Sequence, residues 1–312
     1  MRNSLLTAVA AASLLMAASP ALAKGGTWVP VNNIQNSTAM TLFGIDDSNN
    51  ISGQYTDTSG AVHGFVGDFA GDKYASFDDP DGDTQPRAMN DKGYVTGFDA
   101  GAFAPWERNP KGTLSPVTRA GHDIDQVAQG INSAGNFVGD FTDVKTSLFE
   151  GYIGKNAKVT KVFTLKAKNG GYAGRAIDTA GDIGGWYYDP TTGLQRGFLN
   201  MAGSKKPTLI DYPSAQYTVV EGMNDNGIVV GQWQDASGTI HGFYYTVNTG
   251  KYTNLDPPGS TQTQVWNINN SNVITASGSA GNFVYCMQKT GCPGNGAGVV
   301  NSRPAKFTPA RP

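Results

Sequence analysis

Gly222-Met223-Asn224-Asp225-Asn226-Gly227-Ile228-Val229-Val230-Gly231-Gln232-Trp233 sets an aliphatic anchor before an Asx-rich turn closed by glycine, then an apolar run without polar alternation. The same opening recurs at Ile45, Met89, Ile131, Ile177 and Ile268, and the six anchors lie 44, 42, 46, 46 and 45 residues apart. A period of this length belongs to architectures with one supersecondary unit per repeat. The residue closing the turn is Asn49, Gly93, Gly135, Gly181, Gly227 or Asn272. Glycine, and after it asparagine, reaches positive φ at least cost. The pattern therefore predicts a type I turn followed by a left-handed residue in a tight hairpin.

Beyond that turn, residues 228–233 and the aromatic run 240–245 carry apolar side chains at consecutive positions, so both faces of the sheet need cover. Asp235-Ala236-Ser237-Gly238 between them, like Asp57-Thr58-Ser59-Gly60 in the first copy, reads as a hairpin turn. The third run keeps an aromatic ring at Phe65, Trp106, Tyr152, Phe198, Phe243 and Phe283, a site for neighbouring sheets to pack on. Fourth strands fit 74–78, 113–117, 160–165, 208–212 and 252–256, and the sixth copy has none. Residues 27–31 resemble 252–256 and precede the first anchor by a similar distance.

These features predict an all-β fold: a six-bladed β-propeller of four-stranded antiparallel blades, closed by the N-terminal strand in the last blade. A β-solenoid is the alternative, and it needs parallel stacking and shorter rungs. Pro105 falls inside a third strand, where a ladder bond is lost, so the second blade is expected to be locally irregular.

Residues 1–23 have a basic start at Arg2, an apolar run and the small pair Ala21 and Ala23, the layout of a secretory signal. The propeller is expected over 24–286, and a tail over 287–312 begins with a short disulfide loop between Cys286 and Cys292. A close, even pair of cysteines in an exported chain reads as a disulfide, and zinc is the rival reading. A net charge of −2, with charged residues only 15% of the chain, offers no concentrated basic face for nucleic acid. The apolar leader is short for a membrane span.

The fifth copy, with Ser237-Gly238-Thr239-Ile240-His241-Gly242-Phe243 and Leu255-Asp256-Pro257-Pro258-Gly259, is similar to the HAF-type repeats of exported bacterial proteins. His63-Gly64-Phe65 carries the same signature in the first copy, and the resemblance runs from Trp28 to Tyr285. It implies an extracellular or periplasmic location and a propeller, and it brings no catalytic residues with it.

Candidate chemistry is sparse. His63 and His241 share a repeat position that elsewhere holds Ala104, Glu150, Arg196 and Gly281, which reads as a tolerant surface site. His122 lies in a loop between blades with Asp123 and Asp125, a set able to act as an aspartate-oriented general base. The preceding equivalent loop places Asp79, Asp81 and Asp83 around Gly82, like the start of a calcium loop, and a solvated acidic turn is the alternative. Two residues before each anchor stand Phe43, Arg87, Gln129, Arg175, Glu221 and Trp266, varied while their neighbours repeat. Of these, Arg87, Gln129, Arg175, Glu221 and Trp266 are the candidate binding residues. The two arginines suit a carboxylate or sulfate, with salt bridges to Glu221 as the rival reading.

Two functions follow. The first is a secreted binding or scaffold protein engaging a glycan, polymer or protein through one propeller face. The alternative is a hydrolase or lyase acting on an extracellular polymer through His122 and the acidic loops.

Overall fold

The computed structural model describes residues 25–69, 73–80, 82–118, 124–163, 171–288 and 292. Strand β1 (Thr27–Val31) is followed by five blades in chain order. The first holds β2 (Ser37–Ile45), β3 (Asn50–Asp57), β4 (Val62–Asp68) and β5 (Lys73–Phe77). The second holds β6 (Thr84–Met89), β7 (Val95–Asp99), β8 (Ala104–Arg108) and β9 (Leu114–Pro116). The third holds β10 (Ile124–Ile131), β11 (Asn136–Thr142), β12 (Phe149–Lys155) and β13 (Lys158–Val162). The fourth holds β14 (Tyr172–Ile177), β15 (Ile183–Tyr188), β16 (Gln195–Asn200) and β17 (Thr208–Ile210). The fifth holds β18 (Tyr217–Met223), β19 (Ile228–Gln234), β20 (Ile240–Thr246) and β21 (Lys251–Leu255). The sixth holds β22 (Thr263–Ile268), β23 (Val273–Gly278) and β24 (Gly281–Cys286), with β1 as its outer strand.

Ring closure is the expected one: Trp28 pairs with Tyr285 and Val31 with Asn282, antiparallel. No open edge is left between first and last blades. Cys286 and Cys292 form a disulfide, and both are buried with Val29, Val31 and Val273 in one apolar cluster. The cross-link therefore sits at the seam where the ring closes.

All six Asx turns adopt the predicted geometry. Their closing residues have φ between 59° and 86°, and a backbone bond such as Gly227 N to Asn224 O spans each turn. The rings of Phe65, Trp106, Tyr152, Phe198 and Phe243 are buried, as expected of sites where blades meet. The second blade departs from expectation. The β7–β8 ladder runs without a register shift, pairing Phe98 with Pro105 and Gly97 with Trp106. The Pro105 carbonyl accepts from Val117 N at 2.8 Å, so the missing proline donor faces the end of the short outer strand β9. A proline on that side costs no bond to β7, and the blade stays regular.

Around the axis, glycine alternates with a larger residue just before each anchor: Gly44, Ala88, Gly130, Ala176, Gly222, Asn267. A Cβ on Gly130 would stand 2.5 Å from Arg175 O, and one on Gly222 would stand 2.8 Å from Asn267 Cα. Each glycine thus admits the backbone of the next blade, and the six blades pack about the axis as three unequal pairs.

Candidate functional site

The six residues two before the anchors share a structural cause. In every inner strand the ladder skips there: between Leu42 and Gly44, Pro86 and Ala88, Gly174 and Ala176, Val220 and Gly222, Val265 and Asn267, and within the Ala128–Ile131 step. Each is a β-bulge. A bulge leaves an extra residue unpaired and re-aims its side chain, which accounts for the variation seen against a repeated background. Phe43 and Trp266 meet edge to face at 4.8 Å. The Arg87 guanidinium lies 4.8 Å from the Phe43 ring, 5.2 Å from Trp266 and 5.3 Å from Phe98. Arg175 lies 5.9 Å from Trp186.

The second strands add an adjoining tier. Gln232 donates to Glu221 Oε1 at 3.2 Å, and Asp140 interacts with Arg87, Arg175 and Glu221. Asp140 and Gln232, with Gln54, Phe98 and Trp186, directly follow a second-strand glycine, and Ser277, after Ala276, holds the same position in the sixth blade. Sequence reading passed over them, although the same variation between copies that marked the bulges marks this position too.

Burial governs the electrostatics. It pushes Arg87 down to about 10, with the like charge of Arg175 adding and Glu221 and Asp140 opposing. It lifts Asp140 to about 6 against the pull of both arginines. Glu221 is raised by burial as well, opposed by Arg175, Arg87 and the Gln232 amide. The rival reading, an Arg–Glu221 salt bridge, is not met among the described residues. Among the described residues, neither Arg87 nor Arg175 makes a side-chain hydrogen bond or an ion pair within 4.0 Å, and Nε of each is buried without a partner. Asp140 Oδ1, Gln232 Oε1 and Trp266 Nε1 share that condition. A buried polar group gains most from a partner that brings its own charge or hydrogen-bonding atoms. This tier is thus suited to an anionic group.

At the same end of the inner strands, two residues further on, the anchors and Asx turns line a cavity of about 60 Å³, which also touches Arg175 and Glu221. A belt of cross-blade bonds surrounds it. Asn90, Asn132, Asn224 and Asn269 each donate their side-chain amide to the backbone carbonyl of the equivalent residue one blade on, at 2.7–2.9 Å. Asp46 and Asp178 hold the same position and have no amide to give. Burial raises both, Asp46 to about 6.

The histidines that read as tolerant surface sites are held from two sides. His63 Nδ1 lies 2.7 Å from Asp78 and Nε2 lies 3.3 Å from Asp57. His241 repeats this with Asp256 at 2.8 Å and Asp235 at 3.5 Å, and Arg196 reaches Asp211 at 3.1 Å. In these three blades a cationic or cation-capable side chain joins strand three to the residue after strand four. Burial alone lowers the His63 pKa, and the Asp78 and Asp57 carboxylates outweigh it, so the net direction is upward.

Of the proposed base, His122 and Asp123 lie outside the described residues, as does the side chain of Asp125 on β10. In the acidic loop, Asp81 lies outside them too. Asp79 N donates to Thr84 Oγ1, Asp83 is exposed, and among the described residues no three His, Cys, Asp or Glu side chains are grouped to hold a metal. Arg87 and Arg175 thus come together with Glu221, and Arg175 and Glu221 border the axial cavity, whose lining does not include Asp83.

No protein-family model and no curated protein matches the sequence. Among solved structures the chain is similar to virginiamycin B lyase from Staphylococcus aureus, at 10% identity over 84% of this chain and 98% of that one, with a TM-score of 0.47. A streptogramin B lyase gives 11% identity, 87% and 90% coverage and a TM-score of 0.48. A puromycin-hydrolysing peptidase of Mycobacterium tuberculosis gives 8% identity, 85% and 54% coverage and a TM-score of 0.48. Among the described residues no helix is long and apolar enough to cross a membrane.

Proposed function

We propose that this chain is an exported binding protein whose propeller channel takes an extracellular ligand bearing a carboxylate or sulfate group. One observation carries the reading: Arg87 and Arg175 sit enclosed near the axis with no hydrogen bond or ion pair from the described residues. Guanidinium forks recognise planar anions in a bidentate manner, and the surrounding Phe43, Phe98, Trp186 and Trp266 rings hold them in place. Export is supported by the amino-terminal layout of residues 1–23 and by the Cys286–Cys292 disulfide, a bond that persists in oxidising compartments.

The test is calorimetric titration with an oligogalacturonate and a sulfated oligosaccharide, against uncharged chains of the same length. Arg87→Lys and Arg175→Lys keep the charge and remove the fork. A tenfold or greater loss of affinity for the anionic chains is expected in each. Unchanged affinity for the anionic chains in both variants overturns the proposal.

A further inference from the structure

Between the fourth and fifth blades runs a groove of about 620 Å³, separate from the axial cavity. Two matching pairs line it. Tyr188 stands directly across from Gln195 on β15 and β16, and Tyr217 directly across from Gln234 on β18 and β19. Opposed residues in an antiparallel ladder share one face of their sheet, so each wall of the groove offers one phenol ring beside one amide. Tyr188 is 39% exposed, one of few large apolar side chains so open among the described residues. The Gln195 and Gln216 amides make no side-chain hydrogen bond to described residues, and Gln234 is held by Gly238 O at 3.1 Å.

The lining has little formal charge. Asp235 is spent on its own turn, accepting from Ser237 N at 2.8 Å and Thr239 N at 2.9 Å, with His241 beside it. What is left is flat aromatic surface and amides that both donate and accept. A neutral sugar presents the matching chemistry, with a ring face of C–H bonds bordered by hydroxyls that each donate and accept. An anion lacks a cation here, and a purely apolar ligand would bury the amides unpaired. The volume lies within the range of small-ligand sites.

The groove also adjoins the axial tier. Tyr188 packs on Trp186 at 5.1 Å, Trp186 faces Arg175 at 5.9 Å, and the charge of Glu221 reaches Tyr217. We infer that the groove between blades four and five is a subsite for uncharged sugar units, taken from the same acidic glycan whose charged group enters the channel. The glycan identity rests on the channel reading, and the neutral-sugar chemistry of the groove stands on its own lining.

The experiment titrates the full chain with cellotetraose, chitotetraose, maltotetraose and mannotetraose, and with an oligogalacturonate. Variants are Tyr188→Ala, Gln216→Ala and Arg175→Lys, each checked for native circular dichroism. At least one neutral tetrasaccharide should bind, weakened tenfold or more by Tyr188→Ala and threefold or more by Gln216→Ala. Binding of none of the four, or binding indifferent to both groove variants, overturns the groove. If oligogalacturonate affinity still falls in Arg175→Lys, the channel reading survives that failure. If neutral chains bind the groove while oligogalacturonate ignores Arg175→Lys, the channel reading falls and the groove remains.

Discussion

Asn132 donates its side-chain amide to the backbone carbonyl of Asp178 in the next blade at 2.7 Å, and Asp178 passes no such bond to Asn224. The belt of amides around the axis is broken at Asp178 and at Asp46, where a carboxylate replaces the donor. Asp178→Asn restores a donor facing the Asn224 carbonyl and removes an acid that burial and the Asp182 and Asp225 charges push up. A net hydrogen bond contributes roughly 1 kcal/mol, so the melting temperature should rise by roughly 2–4 °C at neutral pH. Calorimetry showing a lower Tm would contradict this account of the belt.

Gly130 and Gly135 are both intolerant of alanine, for different reasons. A methyl on Gly130 runs into Arg175 O, whereas Gly135 has open space and a φ of 80°. Gly130→Ala should cost about 1–3 kcal/mol through overpacking, and Gly135→Ala about 1–2 kcal/mol through the left-handed backbone. Only Gly130→Ala displaces the peptide carrying Arg175, so only it should also weaken binding of an anionic oligosaccharide. Equal binding by the two variants, measured by titration, would separate Arg175 from the ligand.

The blade, the turn and the closing strand were legible because each is dictated locally. A left-handed turn residue must be Gly or Asn, and a strand covered on both faces cannot alternate. The contents of the channel were half legible. Arg87 and Arg175 stood out because a bulge frees its residue from the packing that constrains its neighbours. Asp140 and Gln232 escaped notice because they look like ordinary strand residues until the blades are set around an axis. The pinned roles of His63 and His241 were hidden too, since Asp78 and Asp256 lie 15 residues further along the chain. Pro105 misled because whether a proline costs a ladder bond depends on which neighbouring strand its nitrogen faces.

Cys286 pairs with Thr27 on one side and Val273 on the other, so the disulfide fastens the strand that closes the ring. Replacing Cys286 and Cys292 together with alanine frees a short loop, a loss of about 2 kcal/mol on the loop-entropy account. Urea denaturation should show a lower midpoint in the double variant, and reductant should bring the parent down to match it. An unchanged midpoint would mean that β1 holds the seam without help.

Asp140 gives the channel a dependence on pH whose sign is fixed. With Arg87 and Arg175 positive and Asp140 and Glu221 negative, the enclosed set is neutral when all four are ionised. Burial raises Asp140 to about 6 from an ordinary value of about 3.9, and the Tyr152 hydroxyl beside it, raised by its own burial, stays protonated. The folded protein therefore holds a proton between those values that the unfolded chain has released, and stability falls as pH rises from about 4 to about 6. Over the same interval, falling pH leaves a net positive channel. A sulfated oligosaccharide keeps its charge throughout, so its affinity should rise severalfold between pH 7 and pH 5. Asp140→Asn should bind tightly at pH 7 and keep only the weaker dependence that Glu221, also raised by burial, contributes, while unfolding with a flatter pH profile. Parallel pH profiles for the two proteins would show that Asp140 is not the group that titrates.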